Sequence, residues 1–260
     1  MTPLQLPDPK EDRLESSPLS LVVCQVRHEP VPGVADARRI LDIQEVLGDK
    51  YPKVEQRPGI VSVPLAIGAP PLPTEQPSGW QMKSEDDSWV ITLDPQWFAI
   101  ETSAYVSWVD FRSRMDQLVS AVVQVHDPNL EARVGLRMVD EIQHPEVKSA
   151  PDWRGWIRDE LLGPIAHPAF GEAINAIQQM VDLDAGDGNR VTFRHGTVAL
   201  APGKGWVYQL DHDCYRQTGR RLTHEDLMTG ADELHRIALQ VFQASITEAL
   251  YSYLAGARVQ

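Results

Sequence analysis

The sequence predicts an α+β protein built as two similar halves, each an antiparallel strand meander followed by a long amphipathic helix on a shared core. Three observations predict it. Short runs rich in β-branched and aromatic residues alternate with turn residues between positions 58 and 102 and again between 191 and 214. Two long segments carry apolar residues at helical spacing. The third is an internal echo: Trp89-Val90-x-x-Leu93-Asp94 recurs as Trp206-Val207-x-x-Leu210-Asp211. Each copy leads to a helix-start signature, Ser107-x-x-Asp110 in the first and Thr223-x-x-Asp226 in the second. A duplication and a chance echo both account for this, since Trp-Val suits strands and caps precede most helices.

In chain order, residues 1–17 are polar, charged and proline-rich, and read as a flexible arm. Leu19, Leu21 and Val23, interleaved with Val22, Cys24 and Val26, predict a strand that ends at Arg27-His28-Glu29-Pro30. Ile40, Leu41, Ile43, Val46 and Leu47 predict a first helix over 35–47, stopped by Gly48. The stretch 58–77 predicts a strand followed by an exposed connection, because its proline cluster cannot continue a central ladder. Three short strands follow within 79–102, separated by a charged turn at Glu85-Asp86-Asp87 and a break at Pro95. Ser107 to His126 is a helix by its stripe of Phe111, Met115, Leu118, Val119 and Val122, and Pro128 ends it. Ala132 to Ile142 then returns as a strand.

Beyond residue 148 the pattern predicts a short helix from Trp153 to Leu162, an apolar segment over 173–183, and a hairpin tip at Gly186-Asp187-Gly188-Asn189. Strands over 191–200 and 205–214 follow. The chain ends in its best helical stripe, from Thr223 to about Leu254. As one helix it would be about 45 Å long at 1.5 Å per residue. The expected division is an arm over 1–17, a first half over 18–148 and a second over 149–260, within one compact unit.

Composition limits function. The chain has 24 basic residues against 37 acidic ones, a formal net charge of -13. That repels a polyanion and makes nucleic acid an unexpected partner, a local basic strip such as Arg216 with Arg220 and Arg221 being what a third, nucleic-acid-associated reading would use. No apolar run is long enough to span a bilayer and no signal sequence opens the chain, so a cytoplasmic location without a membrane partner is expected. Cys24 and Cys214 both lie in strand-like segments and read as reduced, buried thiols.

No catalytic constellation emerges. Asp211-His212-Asp213-Cys214 offers zinc-ligand types, but a strand turns His212 and Cys214 to one side and Asp211 and Asp213 to the other, too few ligands on either face. The acidic residues around Gly186 and the glycines around Lys204 lack the spacing of a calcium or phosphate loop. No metal site and no cofactor is therefore expected. Arg137, inside the apolar strand VGLRMV, requires a carboxylate or a ligand beside its guanidinium. Asp140, Asp211 and Asp213 all qualify, and ion pair and binding site remain open. Three of the seven tryptophans, Trp97, Trp153 and Trp156, sit where they would either fill the core or anchor a partner.

The runs LSLVVCQVRHEP, SAYVSWVDF, VGLRMVDEIQHP, YQLDHDCY and LHRIALQVFQASITEAL resemble a sporadically distributed bacterial family of uncharacterised proteins of about this length. The resemblance covers most of the chain. It implies a non-catalytic α+β protein, and the family's patchy distribution implies an accessory role such as defence or toxin neutralisation. Two departures are Met138, where the family carries an aromatic, and His212 between the two acids of the Asp-x-Asp strand. The expected function is thus non-enzymatic binding of a polypeptide partner encoded nearby, with a homodimer as the other assembly allowed for. The alternative is a small-ligand sensor or enzyme using Arg137 with Asp211 and Asp213.

Overall fold

The computed structural model describes residues 2–31, 36–63, 72–201 and 204–256. Among the described residues the architecture is mixed α/β, a large antiparallel sheet with five α-helices. The elements are β1 (Leu19–His28), α1 (Ala37–Leu47), β2 (Lys53–Val63), β3 (Leu72–Lys83), β4 (Trp89–Asp94), β5 (Trp97–Thr102), α2 (Trp108–His126) and β6 (Leu130–Ile142). They continue with α3 (Asp159–Leu162), β7 (Ala176–Gly186), β8 (Asn189–Ala199), β9 (Trp206–Arg216), β10 (Arg220–Arg221), α4 (His224–Ser245) and α5 (Glu248–Leu254). Of the exposed connection expected up to residue 77, residues 64–71 lie outside the described residues. Residues 72–77 instead open β3, where the prolines are tolerated because β4 pairs only with Trp80–Lys83. The first two residues of the turn at 202–205 also lie outside the described residues.

Two compact units divide these elements. One takes the residues to Val22, Gly135–Arg216 and those from Ala231 onward; the other takes Val23–Val134 and Gln217–Gly230. Strands β1 and β6 and helix α4 contribute residues to both.

In the β2–β5 unit the hydrogen-bonded order is β2-β3-β4-β5-β1-β6, with β10 also on β6. The expected meander is present: Trp89 stands opposite Thr102, Ile91 opposite Ile100 and Leu93 opposite Phe98. The β3–β4 turn forms because Asp86 Oδ1 accepts from the Ser84 hydroxyl at 2.6 Å, the Ser88 hydroxyl at 2.7 Å and the Ser88 amide at 3.1 Å. These bonds hold its carboxyl down to about 2. Helix α1 stops at Gly48, whose φ of 68° suits only a residue without a Cβ. Helix α2 starts where its sequence signature places it, the Ser107 hydroxyl accepting from the Asp110 amide at 3.2 Å, and it buries Phe111, Met115, Leu118, Val119 and Val122.

The β7–β9 unit has the order β1-β6-β9-β8-β7. Its β7–β8 hairpin turns where the glycines predict: Asp187 and Gly188 have φ of 52° and 83°, the positive values a tight two-residue turn requires. Leu234, Ile237, Ala238, Val241 and Phe242 of α4 and Leu250 and Leu254 of α5 are buried, each large side chain stabilising the fold by about 2 kcal/mol.

Two expectations are corrected here. Trp153 to Leu162 is not one helix but a 3₁₀ turn, Ala150–Trp153, and the single turn α3. Gly155, at φ 84°, and the extended Arg158 break it. Nor is the C-terminal helix continuous. Helix α4 spans 22 residues, about 33 Å, and ends where Ile246 bridges to Ile157. There the Arg158 amide donates to the Ser245 carbonyl at 3.0 Å and the Thr247 amide to the Trp156 carbonyl at 2.9 Å. The Thr247 hydroxyl then accepts from the Leu250 amide and starts α5.

Both cysteines are buried free thiols, Cys24 in the β2–β5 unit and Cys214 in the β7–β9 unit. Burial pushes both thiol pKa values up, that of Cys24 to about 12. Among the described residues no helix is long and apolar enough to cross a membrane.

Candidate functional site

The polar candidates Arg137, Asp140, Asp211, His212 and Asp213 lie in the β7–β9 unit on the neighbouring strands β6 and β9, with β8 on the far side of β9. Alternation along β9 sends Asp211 and Asp213 to one face and Leu210, His212 and Cys214 to the other. On the first face the Arg137 guanidinium closes on Asp211 through two parallel bonds, Nε to Oδ1 and Nη2 to Oδ2, both 2.8 Å. Arg194, the register partner of Asp211 on β8, brings Nη1 to 3.6 Å from Oδ2. The carboxylate is 4% exposed and the Arg137 side chain 47%. That fork raises the Arg137 pKa through its hydrogen bonds to Asp211. Thr192, opposite Asp213, donates its hydroxyl to Asp182 on β7 at 2.8 Å.

Removing one partner of such a pair strands the other in a site that water barely reaches. Arg137→Ala should therefore cost about 2 kcal/mol of stability, less than a fully buried pair because Arg137 is half exposed. Combining it with Asp211→Asn should recover part of the loss, and denaturant midpoints of the four proteins in the cycle measure the coupling.

On the opposite face His212 is fully buried, stacked on Phe193 with ring centroids 5.1 Å apart and meeting Phe242 edge-on at 6.5 Å. Its Nδ1 lies 3.6 Å from Oδ2 of Asp140, an ion-pair separation rather than a hydrogen bond. Burial pushes the Asp140 carboxyl up to about 8 and the imidazole down to about 4.

The three candidate tryptophans are not brought together. Trp153 is fully buried in the β7–β9 unit, with Nε1 donating to the Thr197 hydroxyl at 2.7 Å and its ring edge-on to Tyr208. Trp156 is half-buried and lies against His144, with ring centroids 3.8 Å apart. Trp97 belongs to the β2–β5 unit, where the Arg57 guanidinium lies 5.1 Å from its ring centre. Of the basic strip, Arg216 is buried, while Arg220 and Arg221 are exposed opposite Glu131 and Leu130.

Sequence reasoning missed the most developed binding geometry, which involves the N-terminal arm. Residues 4–16 are held by the β7–β9 unit largely through their main chain. Gln240 Nε2 donates to the carbonyls of Leu6 at 3.3 Å and Pro7 at 2.9 Å. Gln243 makes a reciprocal pair with Lys10, accepting from its amide at 2.9 Å and donating to its carbonyl at 2.7 Å. The Lys10 ammonium pairs with Glu248 at 2.8 Å and lies 4.3 Å from the Tyr251 ring centre. Further along, the Leu4 amide donates to the Asp184 carbonyl and the Ser16 amide to the Leu254 carbonyl. Beside the arm runs a groove of about 630 Å³, bounded by Arg158, Glu160, Gln240, Thr247 and Tyr251. The available sequence signal was the Gln240-x-x-Gln243 pair on the polar flank of α4, one helical turn apart.

No protein-family model matches the chain, and no curated protein matches it in sequence. Among solved structures, the di-domain ARO/CYC StfQ from the steffimycin biosynthetic pathway covers 91% of this chain and 99% of its own, at 11% identity and a TM-score of 0.18. A likeness that low carries no argument about fold or activity.

Proposed function

We propose that this is a non-enzymatic binding or accessory protein that engages a polypeptide partner. The observation that carries the reading is the grip of Gln240 and Gln243 on the main chain of residues 6–10. Side-chain amides that pair with peptide carbonyls and amides recognise an extended polypeptide whatever its side chains, while Glu248 and Tyr251 add selectivity for a cation at one position. Held in cis, the arm competes with any partner at a high effective concentration. A role in bacterial defence or toxin neutralisation rests on the family resemblance. Two similar halves of common origin are part of the same reading, supported by the matching caps at Ser107 and Thr223.

The rival reading, a ligand sensor or enzyme built on Arg137 with Asp211 and Asp213, is weaker because the guanidinium fork is already closed on Asp211.

Lys10→Glu places like charges at Glu248 and loosens the arm. A labelled peptide copying residues 2–12 should bind this variant at least about tenfold more tightly than the unaltered chain, since the competing arm is released. Adding Gln243→Ala should abolish the gain. Fluorescence polarisation reads both, and equal binding with and without Gln243 would sink the proposal.

A further inference from the structure

The sheet order of the β7–β9 unit ends at β7, and among the described residues no strand covers its outer edge. Which of its main-chain groups face outward follows from two bonds. The Asn175 carbonyl accepts from the Ala199 amide, toward β8, whereas the Asp184 carbonyl accepts from the Leu4 amide, away from it. Successive residues of a strand present their amide and carbonyl to alternate sides. Gln178, Met180 and Asp182 therefore direct theirs outward, as Asp184 does.

This edge lacks two of the devices that most often blunt one, proline and a basic side chain, and its one irregularity in register lies at the far end, between Asp184 and Gly186. Over 11 residues β7 has no proline, lysine or arginine. Met180 and Val181 are 62% and 40% exposed, one on each face of the strand. Its charges are all acidic: Asp182 and Asp184, with Asp187 at the hairpin tip. The Leu4 bond also shows that the edge accepts a donor from an extended segment, though it uses only the end of the strand.

We infer that the outer edge of β7, from Gln178 to Asp184, is a strand-addition site for an extended polypeptide carrying basic residues at alternate positions. The inference deepens the polypeptide-partner reading and rests on it. Backbone pairing supplies the hydrogen bonds, basic side chains meet Asp182 and Asp184 on one face, and apolar ones cover Val181 on the other. A second copy of the chain is a poor occupant, since each copy carries a formal net charge of -13.

The probe is a short capped peptide alternating lysine and valine, with a glutamate-for-lysine version as control. With the full chain and saturating lysine peptide, hydrogen exchange at the Met180 and Asp182 amides should slow by about tenfold or more. The Gln179 and Val181 amides, turned toward β8, should not change. Met180→Pro removes an outward amide without breaking the β7–β8 ladder and should abolish the effect. Asp182→Lys, which keeps that amide, should reverse the preference to the glutamate peptide. Unchanged exchange with either peptide overturns the inference, as does protection that ignores the charge at position 182. Concentration-dependent protection of these amides without peptide also overturns it, by making the occupant a second copy. The arm-groove measurement with Lys10→Glu is decided by Gln243 on α4 and shares only the Asp184 carbonyl with β7, so the Gln178–Asp182 edge can fail while the polypeptide reading stands.

Discussion

Replacing Asp140 by asparagine is expected to shift the stability difference between variant and unaltered protein by about 4 kcal/mol in the variant's favour from pH 5 to pH 8. The cause is the buried pair formed by Asp140 and His212. In the unfolded chain the two groups titrate near 3.8 and 6.5, and in the folded protein near 8 and 4. Together the folded pair holds one proton from about pH 4 to pH 8. The unfolded pair also holds one between 3.8 and 6.5, so over that range their contribution to stability is flat. Above 6.5 the unfolded pair holds none, and the folded state loses about 2 kcal/mol as pH rises to 8.

Asparagine removes that alkaline loss. It leaves His212 neutral in the fold and protonated in the unfolded chain below pH 6.5, so the variant loses stability as pH falls toward 4. His126 and His235, also pushed down to about 4 by burial, weaken both proteins in acid and cancel in the comparison. Denaturant midpoints at pH 5 and pH 8 measure the shift, and parallel profiles for the two proteins would rule out the shared proton.

Trp153→Ala is expected to cost about 4 kcal/mol, enough to consume much of a typical domain's stability. The substitution empties a fully buried site, ends the bond to Thr197 and strips the edge-on contact from Tyr208. Thr197 still has the Val207 carbonyl as an acceptor, at 2.8 Å, so the cost is mainly the cavity. Trp156→Ala, at a half-buried position, should cost clearly less. Comparing the two by urea denaturation separates packing from partner anchoring at these neighbouring tryptophans. A loss below about 1 kcal/mol for Trp153→Ala would contradict its place in the core.

Where local chemistry decides an element, the sequence was enough to find it. Asp86 and its flanking serines make the β3–β4 turn, Ser107 and Thr223 start their helices, and the glycines at 186 and 188 form the hairpin tip. What escaped depends on residues far apart in the chain. Nothing between Ser245 and Glu248 marks a helix end, because the break is enforced by Ile157 and Arg158. The pairing of Arg137 with Asp211, among three eligible carboxylates, required knowing that β6 lies beside β9. Alternation separated His212 from Asp211 correctly, yet it could not supply Asp140, which comes from another strand. The hold on the arm was hidden for the same reason, since two glutamines on a helix flank look like ordinary solvent contacts until a main chain lies against them.

The placement of the two thiols has a practical consequence. Cys24 and Cys214 belong to different compact units, and each is closed off from solvent and held as the protonated, unreactive thiol. An alkylating reagent reaches each sulfur only when the surrounding strands open. Each unit thus contains its own built-in clock, and the labelling rates of the two sulfurs, followed by mass spectrometry, time the opening of one unit independently of the other.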